Sequence, residues 1–124
     1  MTPHLKVGLP PNRRRLPFAE HALRTVREGM RLVVSGDGDV RGSGWRAGEG
    51  LSVPVSGKTG TAEVGRGATR RKNTWFIAYA PSENPTVAIA LVIENGESGG
   101  GTAAPRVNAI LRQIFGTGDG GAKI

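Results

Sequence analysis

The glycines of this chain are grouped, and the grouping limits where regular secondary structure can form. Twenty of the 124 residues are glycine, and all but Gly8 and Gly29 fall in four clusters: residues 36–50, 57–67, 96–101 and 116–121. Glycine loses more backbone freedom on folding than any other residue, so it favours turns over the interiors of helices and strands. Three long stretches hold one glycine between them: residues 17–34, 73–94 and 102–115. We therefore expect both helices and most of the strands in these stretches.

Two of these stretches carry apolar residues at helical spacing. Pro17 is suited to open the first helix, because the first helical turn does not need its missing N–H. The apolar stripe that follows consists of Leu23, Val26, Met30 and Val33. Gly29 interrupts this helix, and we expect it to mark close packing. The second helix begins near Pro105, ends at Gly116, and carries the stripe Val107, Ile110, Leu111 and Ile114.

Three further segments have the pattern of strands: residues 52–64, 73–80 and 86–94. The short turn between the last two favours an antiparallel hairpin. These two strands are apolar on both faces, so we expect their sheet to be covered on both sides. The order of a helix, three strands and a helix predicts an α+β fold with an antiparallel sheet.

The composition excludes several kinds of site. The chain has no cysteine, so disulfides, thiolate zinc sites and a cysteine nucleophile are ruled out. Its two histidines, His4 and His21, lie too far apart to suggest a metal site, and we expect no cofactor. The longest apolar run, Val87 to Ile93, is far shorter than the roughly 20 residues of a membrane span. No signal-peptide pattern stands at the N-terminus.

The net charge of +7 favours polyanionic partners, nucleic acid among them. Two basic runs contribute to it, Arg13–Arg15 and Arg70–Lys72. Aromatic residues are only 5% of the chain, and Trp75, Phe76 and Tyr79 fall inside a predicted strand, where a stacking platform for bases is not expected. A nucleic-acid-binding module is therefore less favoured than two solvated basic loops.

The segment Ser-Gly-Lys-Thr-Gly-Thr, at residues 56–61, holds the most distinctive chemistry. Gly-Lys-Thr also ends the phosphate-binding P-loop. That pattern requires glycine where this chain has Ser52, and it opens a helix where this chain continues as a strand. Lys-Thr-Gly in a strand is instead a signature of the serine enzymes that recognise penicillin.

The chemistry of those enzymes suits the four residues that follow Gly57. Lys58 supplies a cation for a substrate carboxylate and for proton transfer, and strand alternation places Thr59 on the opposite face. Gly60 leaves room for an acyl group beside the backbone. The N–H of Thr61 can donate to a developing oxyanion.

Five blocks of sequence resemble the C-terminal part of a class B penicillin-binding protein transpeptidase domain, of the elongation type represented by penicillin-binding protein 2. The blocks are residues 26–34, 55–64, 74–81, 92–96 and 102–105. The resemblance implies a partial serine β-lactamase/penicillin-binding transpeptidase fold, to which this chain supplies the last three strands of a five-stranded antiparallel sheet and the final helix. It implies a C-terminal portion of the domain at 17–116, after an irregular basic lead-in at 1–16 and before a flexible tail at 117–124.

The resemblance also implies a function, the cross-linking of peptidoglycan stem peptides through a serine acyl-enzyme that β-lactams inhibit. Carried over by position, Lys58 and Thr61 are catalytic residues. Thr59, Gly60 and Thr61 bind the substrate or β-lactam carboxylate and acyl group. The family is anchored in the cytoplasmic membrane and faces outward, and this sequence shows no anchor or signal.

The nucleophile of that family is missing from these residues. No serine is followed three residues later by lysine, as the Ser-x-x-Lys motif requires. Ser82-Glu83-Asn84 matches Ser-x-Asn as a string, but it lies in the predicted turn, where Ser and Asn bond to the local backbone. We therefore expect the chain to be inactive alone, with the nucleophile-bearing half of the domain as its partner. A truncated reading frame and a non-catalytic half of a split transpeptidase both remain open.

Overall fold

The computed structural model of the chain describes residue 8 and residues 10–118. Its main elements are α1 (Glu20–Ser35), β1 (Ser56–Val64), β2 (Arg71–Ala80), β3 (Val87–Glu94) and α2 (Ala104–Phe115). Short 3-10 turns at Trp45–Ala47 and Gly67–Thr69 and a π-helical turn at Gly99–Ala103 lie between them. The predicted α+β order of a helix, three antiparallel strands and a helix is confirmed. The predictions for residues 1–7, 9 and 119–124 lie outside the described residues.

The three strands form one antiparallel sheet in the order β1-β2-β3. Thr59 lies opposite Phe76, and Phe76 lies opposite Leu91, so these three residues share one face of the sheet. β1 begins at Ser56, later than the sequence pattern predicts. The reason is Pro54, which has no N–H for a strand ladder. Its carbonyl oxygen accepts a hydrogen bond from the Ser82 N–H at 2.9 Å.

α1 begins three residues after Pro17, since Ala19 still has an extended backbone. Glu20 opens the first turn, where a carboxylate interacts favourably with the helix dipole. Val26, a member of the predicted stripe, is 59% exposed. A Cβ added at Gly29 would meet no described atom within 4 Å, so the expected close packing at this glycine is not found in the described part of the chain.

The core lies between the sheet and α2. Most of its buried side chains come from β2 and α2, and others come from α1, the first 3-10 turn, the residue before β1 and the π-helical turn: Val34, Ala47, Val55, Phe76, Ala78, Ala80, Ala103, Ala104, Val107 and Leu111. Only part of the predicted α2 stripe reaches this core, because Ile110 and Ile114 stay exposed. Gly116 ends the helix as predicted, with a φ of 82° that suits glycine, and its N–H bonds to the carbonyl oxygen of Arg112.

The opposite face of the sheet is open among the described residues. Trp75, Ile77 and Val92 alternate with the core residues and are 46%, 47% and 44% exposed. α1 packs mainly against β1, and its Met30 reaches only the rim of this face, beside Ile77. The expectation that the sheet is covered on both sides is therefore wrong for this part of β2 and β3 in residues 10–118, because α1 packs against β1 and leaves Trp75, Ile77 and Val92 uncovered.

Candidate active site

The predicted site residues lie together on β1, which is an edge strand of the described sheet. Gly57 is buried beneath Phe76, and a Cβ added there would lie 2.6 Å from Phe76 Cε1 and 2.7 Å from the Ile77 carbonyl oxygen. Gly60 is different, since a Cβ there would stand 3.4 Å from Trp75 Cβ, close to an ordinary contact. The packing therefore requires glycine at 57 but not at 60.

Lys58 lies on the face of β1 that carries Ile77, away from α2. Its side chain is exposed, and its Nζ donates a hydrogen bond to the Thr59 carbonyl oxygen at 2.9 Å. The two ion pairs found among the described residues join Arg27 to Glu20 and Arg70 to Glu63. The Lys58 ammonium thus has no carboxylate partner within the described chain and keeps donors free for one.

Thr59 and Thr61 lie on the other face of β1, opposite Phe76 and Thr74. The Thr59 hydroxyl lies 3.3 Å from the hydroxyl of Ser43, in the loop that follows α1. The Thr61 hydroxyl accepts a hydrogen bond from the Gly99 N–H at 3.3 Å, so its own hydrogen is available for a ligand. The structure therefore brings two glycine-rich segments against this side of the strand.

Sequence reasoning missed both contacts. Ser43 stands between Gly42 and Gly44, and Gly99 opens a run of three glycines. Glycine inside an otherwise structured region can mark a close approach of two backbones. The two glycine clusters therefore indicated that some segment lies close to each of them, but not that this segment is β1.

Ser82 lies in the turn between β2 and β3, as predicted. Its hydroxyl lies 2.7 Å from the buried Ser56 hydroxyl, and its N–H bonds to Pro54. These bonds tie the turn to the start of β1. Ser82 thus lies in the turn as predicted, but the predicted bond of its side chain to the local backbone is wrong, since the hydroxyl bonds to Ser56.

A cleft of about 970 Å³ opens between α1 and this turn. Its wall includes Arg24, Arg27 and Arg31 from α1 and Ser56 and Tyr79 from the sheet. Register places Ser56 and Tyr79 on the same sheet face as Lys58. The cleft thus adjoins the open face described above.

Among the described residues, no group of three or more His, Cys, Asp or Glu side chains is arranged to hold a metal ion. Neither α1 nor α2 combines the length and the hydrophobicity that a membrane-crossing helix needs.

Comparisons with known proteins agree with the geometry. The family model "Penicillin binding protein transpeptidase domain" matches residues 1–112. The peptidoglycan D,D-transpeptidase MrdA of Salmonella typhimurium is 51% identical over 45 residues, covering 36% of this chain and 7% of the relative. The peptidoglycan D,D-transpeptidase PbpA of Mycobacterium tuberculosis is 40% identical over 65 residues, covering 48% of this chain and 13% of the relative.

A solved structure extends the match to the fold. The crystal structure of Pseudomonas aeruginosa PBP2 in complex with WCK 5153 aligns with a TM-score of 0.69 and 34% identity, covering 86% of this chain and 24% of that one. The chain therefore spans less than a quarter of the length of each of these proteins. Since the family model covers most of the sequence, the chain belongs to the penicillin-binding protein transpeptidase family, and its relatives are of the PBP2 type.

Proposed function

We propose that this chain forms the Lys-Thr-Gly wall of the active site of a peptidoglycan D,D-transpeptidase, with residues 17–116 as its share of the domain. The observation that carries the proposal is the edge position of β1, which is paired with β2 on one side only among the described residues. An edge strand offers a row of backbone groups to an extended peptide. A stem peptide or a β-lactam is the ligand that the family membership indicates.

The side chains of the motif divide into two roles. Lys58 extends from one face with an exposed ammonium that attracts a carboxylate and relays protons. The hydroxyls of Thr59 and Thr61 stand on the other face and can donate to the carboxylate of the donor peptide or the β-lactam. Gly60 separates them and keeps bulk away from the bound acyl group.

The Thr61 N–H is proposed as one donor of the oxyanion hole. A Cβ placed on Gly99 would lie within 2.8 Å of the Gly60 nitrogen, the Gly60 oxygen and the Trp75 oxygen. These three backbone atoms therefore lie close together, as expected where Gly60 of β1 pairs with Trp75 of β2 and directs its backbone groups to that strand. In an antiparallel pair, successive residues direct their backbone groups to alternate sides. We infer that Thr61, next to Gly60, directs its N–H to the free edge, where an oxyanion can accept from it.

The proposed reaction also needs a nucleophile, which these residues do not supply. None of the six serines in the sequence has lysine three residues later, so no activated nucleophile of the Ser-x-x-Lys type is present. We therefore propose that these residues alone form no acyl-enzyme. The nucleophile and the second oxyanion donor belong to a complementary half of the transpeptidase domain.

That complementary half has a surface to dock on. The open sheet face presents Trp75, Ile77 and Val92 on the same side as Lys58. These side chains are already about half-buried, so covering the rest contributes roughly half of the 1.5–3 kcal/mol of a full burial, about 1 kcal/mol each. We propose that the nucleophile-bearing half covers this face, which brings its serine next to Lys58. Following the resemblance, we place the reaction on the outer side of the cytoplasmic membrane.

The test is a chimera in which the full chain replaces the matching part of Pseudomonas aeruginosa PBP2. We expect a fluorescent penicillin to label the chimera at the nucleophilic serine that PBP2 supplies. The variant Lys58→Ala should lower the rate of labelling at least about a hundredfold, as loss of a general acid–base group does. Lys72→Ala, which removes an exposed lysine near the far end of the hairpin, is the matched control and should label normally.

Absence of labelling in a chimera that melts cooperatively would refute the proposed function. Labelling of the isolated chain at one of its own serines would refute the statement that the nucleophile lies elsewhere.

The open face also supports a second candidate, a non-catalytic half that assembles with a separate polypeptide. Co-expression of the full chain with the remainder of PBP2, unfused, tests this. Labelled protein that copurifies with the chain supports assembly in trans. Labelling only in the fused form shows that the two halves must be covalently continuous.

A further inference from the structure

Ser43 contacts the proposed carboxylate site from outside the Lys-Thr-Gly motif. Its Oγ lies 3.3 Å from Thr59 Oγ1, although the two residues are sixteen positions apart. The segment Gly42-Ser43-Gly44, here called the Ser43 loop, follows α1 and precedes the 3-10 turn at Trp45–Ala47. A contact between segments this far apart depends on the tertiary fold, so what holds the loop in place matters.

The backbone of the Ser43 loop is fixed on three sides. The Gly44 N–H donates to the Val33 carbonyl oxygen at 2.9 Å, which ties the loop to the end of α1. A Cβ on Gly44 would lie 2.7 Å from Phe76 Cε2, so only glycine allows the loop to lie against the core. Gly100 approaches the Ser43 carbonyl oxygen so closely that a Cβ there would overlap it. The position of Ser43 therefore follows from packing.

The contact between Gly99 and Thr61 shows how a partner can set the direction in which a threonine hydroxyl donates. A hydroxyl has one hydrogen to donate and two lone pairs that accept. The Gly99 N–H, which can only donate, takes a lone pair of Thr61 Oγ1. The single Thr61 hydrogen is thereby left for a ligand. Each threonine of the site thus has one partner on its side of the strand, Gly99 for Thr61 and Ser43 for Thr59.

We propose that Ser43 is a positioning residue for carboxylate recognition, acting through Thr59. The Ser43 hydroxyl donates to Thr59 Oγ1, and the Thr59 hydrogen then points to the substrate carboxylate. Hydrogen bonds in such a chain polarise one another, and a bond to a charged acceptor is stronger than a neutral one. This inference rests on the proposed function, and it adds a residue and a direction of hydrogen bonding to that site.

The test compares two ligands in the PBP2 chimera: benzylpenicillin, which carries the free carboxylate, and its methyl ester, which does not. We expect Ser43→Ala to lower the second-order acylation rate by about tenfold for the acid, the net contribution of roughly one hydrogen bond, here the one from Ser43 to Thr59. The rate for the ester should stay within about twofold, since the ester lacks the charge that strengthens this bond. Ser43→Thr keeps the hydroxyl and should restore the acid rate.

Ser35→Ala is the matched control, because Ser35 is an exposed serine bonded to Gly36 and to no strand residue. Melting curves of each variant separate loss of fold from loss of recognition. Equal losses for acid and ester in Ser43→Ala, or no loss for either, would overturn the role of Ser43 while leaving the proposed function intact. A folded parent chimera that neither ligand acylates would overturn the proposed function, and this inference with it.

Discussion

Alanine should have different effects on stability at the two glycines that flank Lys58-Thr59, Gly57 and Gly60. A Cβ at Gly57 would stand 2.6 Å from Phe76 Cε1 and 2.7 Å from the Ile77 carbonyl oxygen, where carbon contacts are normally about 3.5–4.0 Å. Phe76 is fully buried, so its ring has no free space to move into. At Gly60 the nearest atom, Trp75 Cβ, would be 3.4 Å away, and Trp75 is partly exposed.

The expected change in the free energy of unfolding has one contribution that both substitutions share and one that applies to Gly57→Ala alone. Alanine gains about 0.5–1 kcal/mol over glycine inside a strand, and this gain applies at both positions. Overpacking a filled core costs about 1–3 kcal/mol, and this cost applies only at Gly57. The difference in free energy of unfolding between Gly57→Ala and Gly60→Ala should therefore be about 1–3 kcal/mol, with Gly60→Ala the more stable.

Urea unfolding of the PBP2 chimera, followed by circular dichroism, measures this difference. The same samples are then labelled with fluorescent penicillin. Gly60→Ala should keep its stability and lose labelling, because its methyl group intrudes where the acyl group is proposed to lie. If the two variants are equally stable, the packing argument is refuted. If Gly60→Ala labels like the parent, the proposed role of Gly60 is refuted.

Three further predictions concern the rest of the fold. Gly29→Ala should stabilise the isolated chain by up to about 1 kcal/mol in urea unfolding, since a Cβ there meets no described atom, and a loss of stability would contradict this. Asn108→Ala should destabilise the chain by about 1–3 kcal/mol, because buried Asn108 donates to the Ala47 carbonyl oxygen at 3.1 Å; an unchanged urea midpoint would argue against it. Trp75→Ser with Ile77→Ser should reduce light scattering by the isolated chain and lower the melting temperature of the chimera, and unchanged scattering would contradict the exposure of this face.

Much of the fold could be predicted from the sequence because the relevant signals are local. Helical spacing indicated α1 and α2, short apolar runs separated by a turn indicated β2 and β3, and glycine clusters indicated the loops. The opposite facing of Lys58 and Thr59 follows from alternation alone, and the register confirms it. The family could be named because the Lys-Thr-Gly motif is accompanied by four other matching blocks in a fixed order.

Two of the wrong expectations, the covered sheet and the close packing at Gly29, have a common cause. Whether an apolar strand face is covered depends on what packs against it, and the sequence pattern of β2 cannot distinguish a covered face from one that awaits a partner. The same holds for Gly29, where the pattern shows a glycine but not its surroundings. The late start of β1 could have been predicted from the sequence, because Pro54 lacks the N–H that a strand ladder needs.

By itself, the sequence determined the order of elements and the absence of a Ser-x-x-Lys motif among these residues, and it predicted the chemistry of residues 58–61. Only the tertiary structure decided that, among the described residues, β1 is an edge strand and part of one sheet face is open, and that Ser43 and Gly99 contact the two threonines. The physical reason is the distance along the chain over which each interaction acts. Backbone preference and side-chain alternation act between neighbours in the chain, whereas hydroxyl contacts and uncovered faces depend on segments that only folding brings together.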